Sequence, residues 1–178
     1  MGSVRTAPQG LLFTAVTVTD VDLLKSVSDQ LTKAHGPLFD QMPPFCFSEM
    51  TKYYEEEMGP ALWKTFFIFR DPIGLEHIYE HKVESNLLED SYSKNGRRQA
   101  NIDPGYLTLF NFCLLTTKGF SHRVYLGKGI YTEVTLLAKE KRFQPLPWTY
   151  SDYKTKQALD FLEAGRQFLK NEVFGNAR

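Results

Sequence analysis

Two short apolar runs constrain this chain more than any other feature: Leu-Leu-Phe-Thr-Ala-Val-Thr-Val at 11–18 and Leu-Trp-Lys-Thr-Phe-Phe-Ile-Phe at 62–69. Runs of this length, rich in β-branched and aromatic residues, read as buried strands and are too short to cross a bilayer as a helix. After the first run, Thr19-Asp20 offers an N-cap, and Leu24, Val27, Leu31 and Ala34 recur at helical spacing. Gly36-Pro37 supplies the stop. The stretch 38–47 is extended but interrupted by Pro43-Pro44, which confines any strand there to an edge or a bulge.

Beyond the second run, Asp71-Pro72 is expected to open a helix with Leu75, Ile78, Lys82 or Val83 and Leu87 on one face. That helix closes near the Asn95-Gly96 turn. Asp103-Pro104-Gly105 reads as a turn, with Asp103 capping it and Gly105 at positive φ, ahead of a fourth strand over 107–117. The order over the first 117 residues is β-α-β-β-α-β, that of a ferredoxin-like core. A hairpin formed by 122–126 and 130–137 about Gly127-Lys128-Gly129, then an irregular crossing at Pro145-Leu-Pro-Trp and a terminal helix over 156–173, extend it. The expectation is a single α+β domain over 1–178, with 1–9 as a flexible N-terminus.

Composition removes several functions. A 42% apolar and 24% charged chain of 178 residues is a folded domain. Its 21 basic and 21 acidic side chains balance, which disfavours a dedicated duplex-DNA binder. No 18-residue apolar stretch exists, so no membrane span is expected. The first six residues fit the loose myristoylation pattern. Cys46 and Cys113 sit among large apolar residues and read as buried hydrophobes in a reducing, cytoplasmic setting. The phosphate-binding Gly-x-x-x-x-Gly-Lys-Ser/Thr, the dinucleotide Gly-x-Gly-x-x-Gly and the Gly-x-Ser-x-Gly elbow are all missing, so no motif implies a cofactor. Paired His-x-Ser/Thr motifs are missing too. Metal binding is not expected: His77 and His81 form the one i, i+4 histidine pair, with no Glu at the position that the His-Glu-x-x-His zinc proteases need, and read as surface residues. Glu55-Glu56-Glu57 reads as a solvated acidic turn.

The polar candidates concentrate between 101 and 135. In the hairpin, alternation predicts Val124, Leu126, Ile130, Val134 and Leu136 on a core face, with Leu126 opposite Ile130. Arg123, Tyr125, Tyr131, Glu133 and Thr135 fall on the other. That second face is either a solvated surface with a cross-strand Arg123–Glu133 ion pair or the floor of a ligand site. Lys118, His122 and Arg123 gather cations at the entry loop, and His122 is the one group here that titrates near neutrality. Asn101 and Tyr106 flank the Asp-Pro-Gly sequence.

Several runs resemble one family: Tyr-Tyr-Glu-Glu-Glu-Met-Gly (53–59), Asn-Ile-Asp-Pro-Gly-Tyr-Leu (101–107), Thr-Thr-Lys (116–118), His-Arg-Val-Tyr-Leu (122–126), Gly-Ile-Tyr-Thr-Glu-Val-Thr-Leu (129–136) and Pro-Trp-Thr-Tyr-Ser-Asp-Tyr (147–153). The chain is similar across most of its length to the prokaryotic domain of unknown function 4416, departing at Ser151 where the family pattern has Pro. The resemblance implies a prokaryotic cytosolic protein, which sets myristoylation aside, and raises the weight of the polar motifs as a site. It supplies no reaction.

Two functions follow as expectations. One is a pocket for a small anionic ligand or nucleotide, with or without an enzymatic activity. Its candidate contacts are Tyr54, Asn101, Tyr106, Lys118, His122, Arg123, Tyr125, Tyr131, Glu133 and Trp148, and its acid–base candidates are His122, Glu133 and Asp103. The other is a non-catalytic module whose exposed aromatics bind a protein partner or single-stranded RNA. A concave site favours the first and a flat face the second.

Overall fold

The protein's structure, a computed structural model, describes residues 2, 3 and 6–175. Of the expected flexible N-terminus and the myristoylation pattern, residues 1, 4 and 5 lie outside the described residues, and Gln9 already belongs to a strand. In chain order the elements begin with β1 (Gln9–Val18), α1 (Leu23–His35), β2 (Leu38–Gln41), β3 (Phe45–Cys46), the short α2 (Glu55–Met58) and β4 (Trp63–Gly74). Then come α3 (Tyr79–Ser91), a two-stranded ribbon of β5 (Ser93–Lys94) and β6 (Arg97–Arg98), β7 (Ala100–Leu107) and β8 (Asn111–Thr116). Last come β9 (Val124–Gly127), β10 (Ile130–Lys139), β11 (Arg142–Pro145), a 3-10 turn at Ser151–Lys154, α4 (Lys156–Leu169) and a π-helical turn at Lys170–Phe174 that continues it. The architecture is α+β, built on a large antiparallel sheet ordered β11-β10-β8-β7-β1-β4-β2, to which β3 and β9 add at the flanks.

β1 is buried from Gly10 onward because it runs through the middle of that sheet. Its alternation separates two cores. Leu11, Phe13 and Ala15 face α4, whose Ala158, Phe161, Leu162 and Leu169 cover that side. Leu12, Val16 and Val18 face the other side, closed by Leu24, Val27 and Leu31 of α1 and by Ile78 beside α3. Thr155 caps α4 through its hydroxyl, which accepts the Ala158 N–H at 3.2 Å.

Several expectations are corrected. Asp71-Pro72 does not open a helix: β4 runs through it, paired with β1 from Gln9↔Gly74 to Val18↔Trp63, and α3 starts only at Tyr79. Pro72 is tolerated there because β4 has passed the end of β2. The buried face of α3 is polar, with Lys82, Ser85 and Glu89, while Leu87 is exposed. Pro145 ends β11, a strand the apparent irregularity of Pro145-Leu-Pro-Trp concealed.

Asp103-Pro104-Gly105 is not a turn either. It lies inside β7, and Gly105 is not at positive φ. A Cβ on Gly105 would stand 2.4 Å from the Cys113 carbonyl oxygen, so glycine is required by close strand approach. The expected strand over 107–117 is divided by a turn at Thr108, whose N–H donates to Asn111 O at 2.8 Å.

The sheet forks at this point. β7 pairs with β1 along its whole length but with β8 only over Gly105–Leu107. Pro104 has no N–H to continue the ladder toward β8. In the gap stands α3: Ile102 N–H donates to Glu89 Oε1 at 2.7 Å, and Lys82 Nζ donates to Ile102 O at 3.0 Å.

The hairpin turns as expected through Lys128 and Gly129 at positive φ, with Tyr125 opposite Tyr131 and Val124 opposite Thr132. Its core face differs from the simple alternation. A register shift sets Gly127, not Leu126, opposite Ile130, and Val124 is 65% exposed. A second shift, between Val134 and Leu136, carries Leu136 to the α4 side of the sheet while Ile130 stays on the other.

Candidate functional site

Past the end of the α4 core, the same sheet face turns polar. Thr17 on β1 is flanked by Lys64 on β4 and Asn101 on β7; Ala15 stands beside Asp103; and on the next pair of strands Leu114 of β8 meets Glu133 of β10. Paired residues in an antiparallel sheet share a face, so these side chains form one strip. The strip, the fork with its α3 side chains, and the segments about Tyr54 and Tyr150 enclose a concave cavity of about 990 Å³.

Its charges nearly cancel. Lys64, Lys82, Arg98, Lys118 and Arg123 stand against Glu57, Glu89, Asp90, Asp103, Glu133 and Asp152. Most are already paired. Lys64 donates to Asp152 Oδ2 at 2.6 Å, both side chains buried, with the ammonium 4.2 Å from the centre of the Phe47 ring. Lys82 reaches Asp103 at 3.2 Å and Glu89 at 3.5 Å. Arg98 bridges Glu89 at 2.6 Å and Glu57 at 2.7 Å, so Glu57 is a pairing partner rather than part of a purely solvated turn. Asn101 Nδ2 donates to Asp103 Oδ2 at 2.6 Å. Burial alone would raise the Asp103 carboxyl; Lys82 and Lys64, with hydrogen bonds from Asn101 and Lys82, outweigh it and hold it below its usual range. Asp103 is therefore a fixed anion at neutral pH. Burial, then the Asp103 charge, raises the Tyr54 hydroxyl, which stays protonated.

Three groups are left with capacity, one of them Arg98, whose buried Nε has no hydrogen-bond partner among the described residues. Glu133 is 2% exposed; its Oε2 accepts from Arg123 Nε at 2.7 Å and lies 3.2 Å from His122 Nε2, but its Oε1 has no hydrogen-bond partner among the described residues. Lys118 is the one lining cation without a carboxylate partner among the described residues; its ammonium donates to Tyr53 Oη at 2.8 Å. Arg123 also donates to Tyr150 Oη at 3.0 Å and to Lys118 O at 2.9 Å, tying the entry loop to the segment before α4.

Of the residues singled out from the sequence, Tyr54, Asn101, Asp103, Lys118, Arg123 and Glu133 line the cavity. His122 stands behind Glu133 and stacks on Trp148, 5.1 Å between ring centres. Trp148 Nε1 in turn donates to Val134 O at 2.8 Å. Tyr125 and Tyr131 pack edge to face on each other at 5.3 Å and are not among the lining residues. Tyr106 belongs to the opposite face, against the α1 and α3 core.

Sequence reasoning missed Lys64, Lys82, Glu89 and Asp152. A signal existed for three of them. Lys64 interrupts a run of strand residues, and Lys82 and Glu89, with Ser85, recur at helical spacing on the face that should have been apolar.

The fold and site thus define an α+β domain with a polar cavity at a forked antiparallel sheet, and no helix among the described residues is long and apolar enough to cross a membrane. Residues 8–168 match the model of the domain of unknown function DUF4416, and the chain belongs to that family. No curated protein and no solved structure matches it.

Proposed function

We propose that the cavity binds a small ligand of nucleotide size that carries both an anionic group and a hydrogen-bond donor. The observation that carries this reading is the partnerless Oε1 of buried Glu133, since a buried carboxylate oxygen without a donor is costly unless something else supplies one. Lys118 supports the anionic end, and a volume near 990 Å³ is in the range of small-molecule sites. The paired inner cations argue against a guest with several phosphates, whereas a single anionic group can be held at Lys118 without displacing a carboxylate. In any chemistry on the ligand, Glu133 is the acid–base carboxylate, His122 orients it from behind, and Asp103 is an orienting anion. A cytoplasmic setting belongs to the same reading, supported by the free thiols of Cys46 and Cys113. So does a ferredoxin-like description of the core, supported by the strand order β7-β1-β4-β2.

The alternative, a module for a protein partner or single-stranded RNA, draws on exposed Phe120, Tyr125 and Trp148. Phe120 and Trp148 pack on His122 and Tyr125 packs on Tyr131, which leaves fewer free faces for bases, and the site is concave. Thermal-shift titration with nucleoside monophosphates and sugar phosphates tests the proposal. The expected result is a saturable rise in Tm for one ligand class, lost in Glu133→Gln and weakened about tenfold in Lys118→Ala, a loss of roughly 1.4 kcal/mol. A Glu133→Gln protein that binds as the wild type does, or one that merely unfolds while Lys118→Ala binds normally, overturns it.

A further inference from the structure

On the far side of the sheet from the cavity, the last residue of α1 meets the first turn of α3. The His35 and His81 rings lie 5.1 Å apart, centre to centre, and are nearly perpendicular. Glu84 follows His81 by three residues on α3, so the two side chains share a helix face. One ligand atom from each of His35, His81 and Glu84 falls within 4.8 Å of the other two. The sequence pairs His81 with His77, one helical turn away; the fold pairs it with His35, forty-six positions earlier.

We infer that His35, His81 and Glu84 form a site for a single divalent metal ion of the zinc class, which joins α1 to α3. The second, independent observation is His81 Nδ1: this atom is buried and has no hydrogen-bond partner among the described residues, and Glu84 Oε2 stands 3.8 Å from it. A nitrogen–oxygen gap of that size is too long for a hydrogen bond but close to the ligand–ligand separation around a tetrahedral zinc, about 3.4 Å for bonds of about 2.0–2.1 Å. Glu84 is 61% exposed, so rotation about its own bonds draws its carboxylate in. Two imidazoles and one carboxylate suit zinc by donor type and leave a coordination position open.

The surroundings favour a cation. Burial, then the neighbouring His81, hold His35 down to about 4, and burial lowers His81 although Glu84 and Glu80 oppose it. Both rings are therefore neutral at neutral pH and present lone pairs, as metal ligands must. His35 also closes α1, where the helix dipole places partial negative charge.

The site has a structural consequence. His81 immediately precedes Lys82, which together with Glu89 holds Ile102 at the fork. An ion bound by His81 and Glu84 would anchor to α1 the helix that floors the cavity.

The test uses the full chain without a polyhistidine tag, titrated with Zn²⁺ followed by thermal shift, and with Co²⁺ followed by its visible ligand-field bands. One equivalent of Zn²⁺ should raise Tm in the wild type, in His77→Gln and in Glu133→Gln. The rise should be lost in His81→Gln and at least tenfold weaker in binding for Glu84→Gln. Co²⁺ should give low-coordinate bands in the wild type and not in His81→Gln. Because His35 also packs on Phe69, His35→Gln is judged by its Co²⁺ bands only after its far-ultraviolet spectrum shows a native fold. Equal Zn²⁺ responses in the wild type and His81→Gln overturn the inference, as does a wild type with no response. Loss of Zn²⁺ binding in Glu133→Gln would place the ion in the cavity and overturn the location, so failure here is distinct from failure of the ligand proposal.

Discussion

Glu89 holds Ile102: the carboxylate of a helix residue accepts, at 2.7 Å, the backbone N–H that a neighbouring strand would otherwise take. The same carboxylate receives Arg98 at 2.6 Å and stands 3.5 Å from Lys82. Replacing it by Ala leaves a buried N–H without its acceptor and takes one of two carboxylate partners from each of Arg98 and Lys82. Glu89→Ala should destabilise the protein by about 3–5 kcal/mol, the range for breaking a buried charged network by removing one partner. Urea denaturation measures it, and a loss below about 1 kcal/mol would mean that the fork does not depend on Glu89.

Acid should act on the cavity through Asp103. Its folded pKa lies below its unfolded value, so its stabilising contribution is fully present above the ordinary carboxylate range and is lost as pH falls through the folded value. The stability gap between wild type and Asp103→Asn should therefore be constant from pH 7 to about 5 and shrink on further acidification. A gap that widens below pH 4 contradicts the sign.

Two glycines should respond unequally to alanine. At Gly105 the new Cβ meets the Cys113 carbonyl oxygen at 2.4 Å, which is backbone and cannot yield without parting β7 from β8. At Gly165 it meets a methyl of Ile68 at 2.7 Å, the movable end of a side chain, and alanine gains about 1 kcal/mol of helix propensity. Gly105→Ala should cost about 2–4 kcal/mol and Gly165→Ala less than half of that, by thermal melts of both variants.

Val124 and Ile130 look equivalent by alternation but are not. Val124 is 65% exposed and Ile130 is 2% exposed. Val124→Thr should change stability by less than about 0.5 kcal/mol, whereas Ile130→Ala should cost about 2–4 kcal/mol. Similar losses at the two positions would indicate that the hairpin packs on both residues.

Apolar periodicity carried what it can carry. It located β1, α1, most of β4 and α4, because each buries a continuous stripe or run. It failed where burial is polar: Lys82, Ser85 and Glu89 occupy the inner face of α3, so the pattern put exposed Leu87 inside. Turn chemistry failed at Asp103-Pro104-Gly105 for a related reason. Proline without an N–H and glycine without a Cβ are as useful at a strand fork as at a reverse turn, and only the neighbouring strands distinguish the two. For the site, the local pairing of Arg123 with Glu133 was legible from hairpin register. Partners such as Lys64 and Asp152, eighty-eight positions apart, are brought together by topology alone.

The proline at the fork has one more consequence. If the register Gly105↔Leu114 were extended by one residue, Pro104 would come opposite Leu115. By the alternation that turns the Ile102 N–H toward α3, the nitrogen of residue 104 points the same way, and in proline it has nothing to donate. Without α3 the ladder between the two strands would still lack a rung at residue 104, so the proline and the Glu89 carboxylate act on the same gap. The hollow is thus begun in the covalent chain at one imino acid, and the surrounding charges complete it.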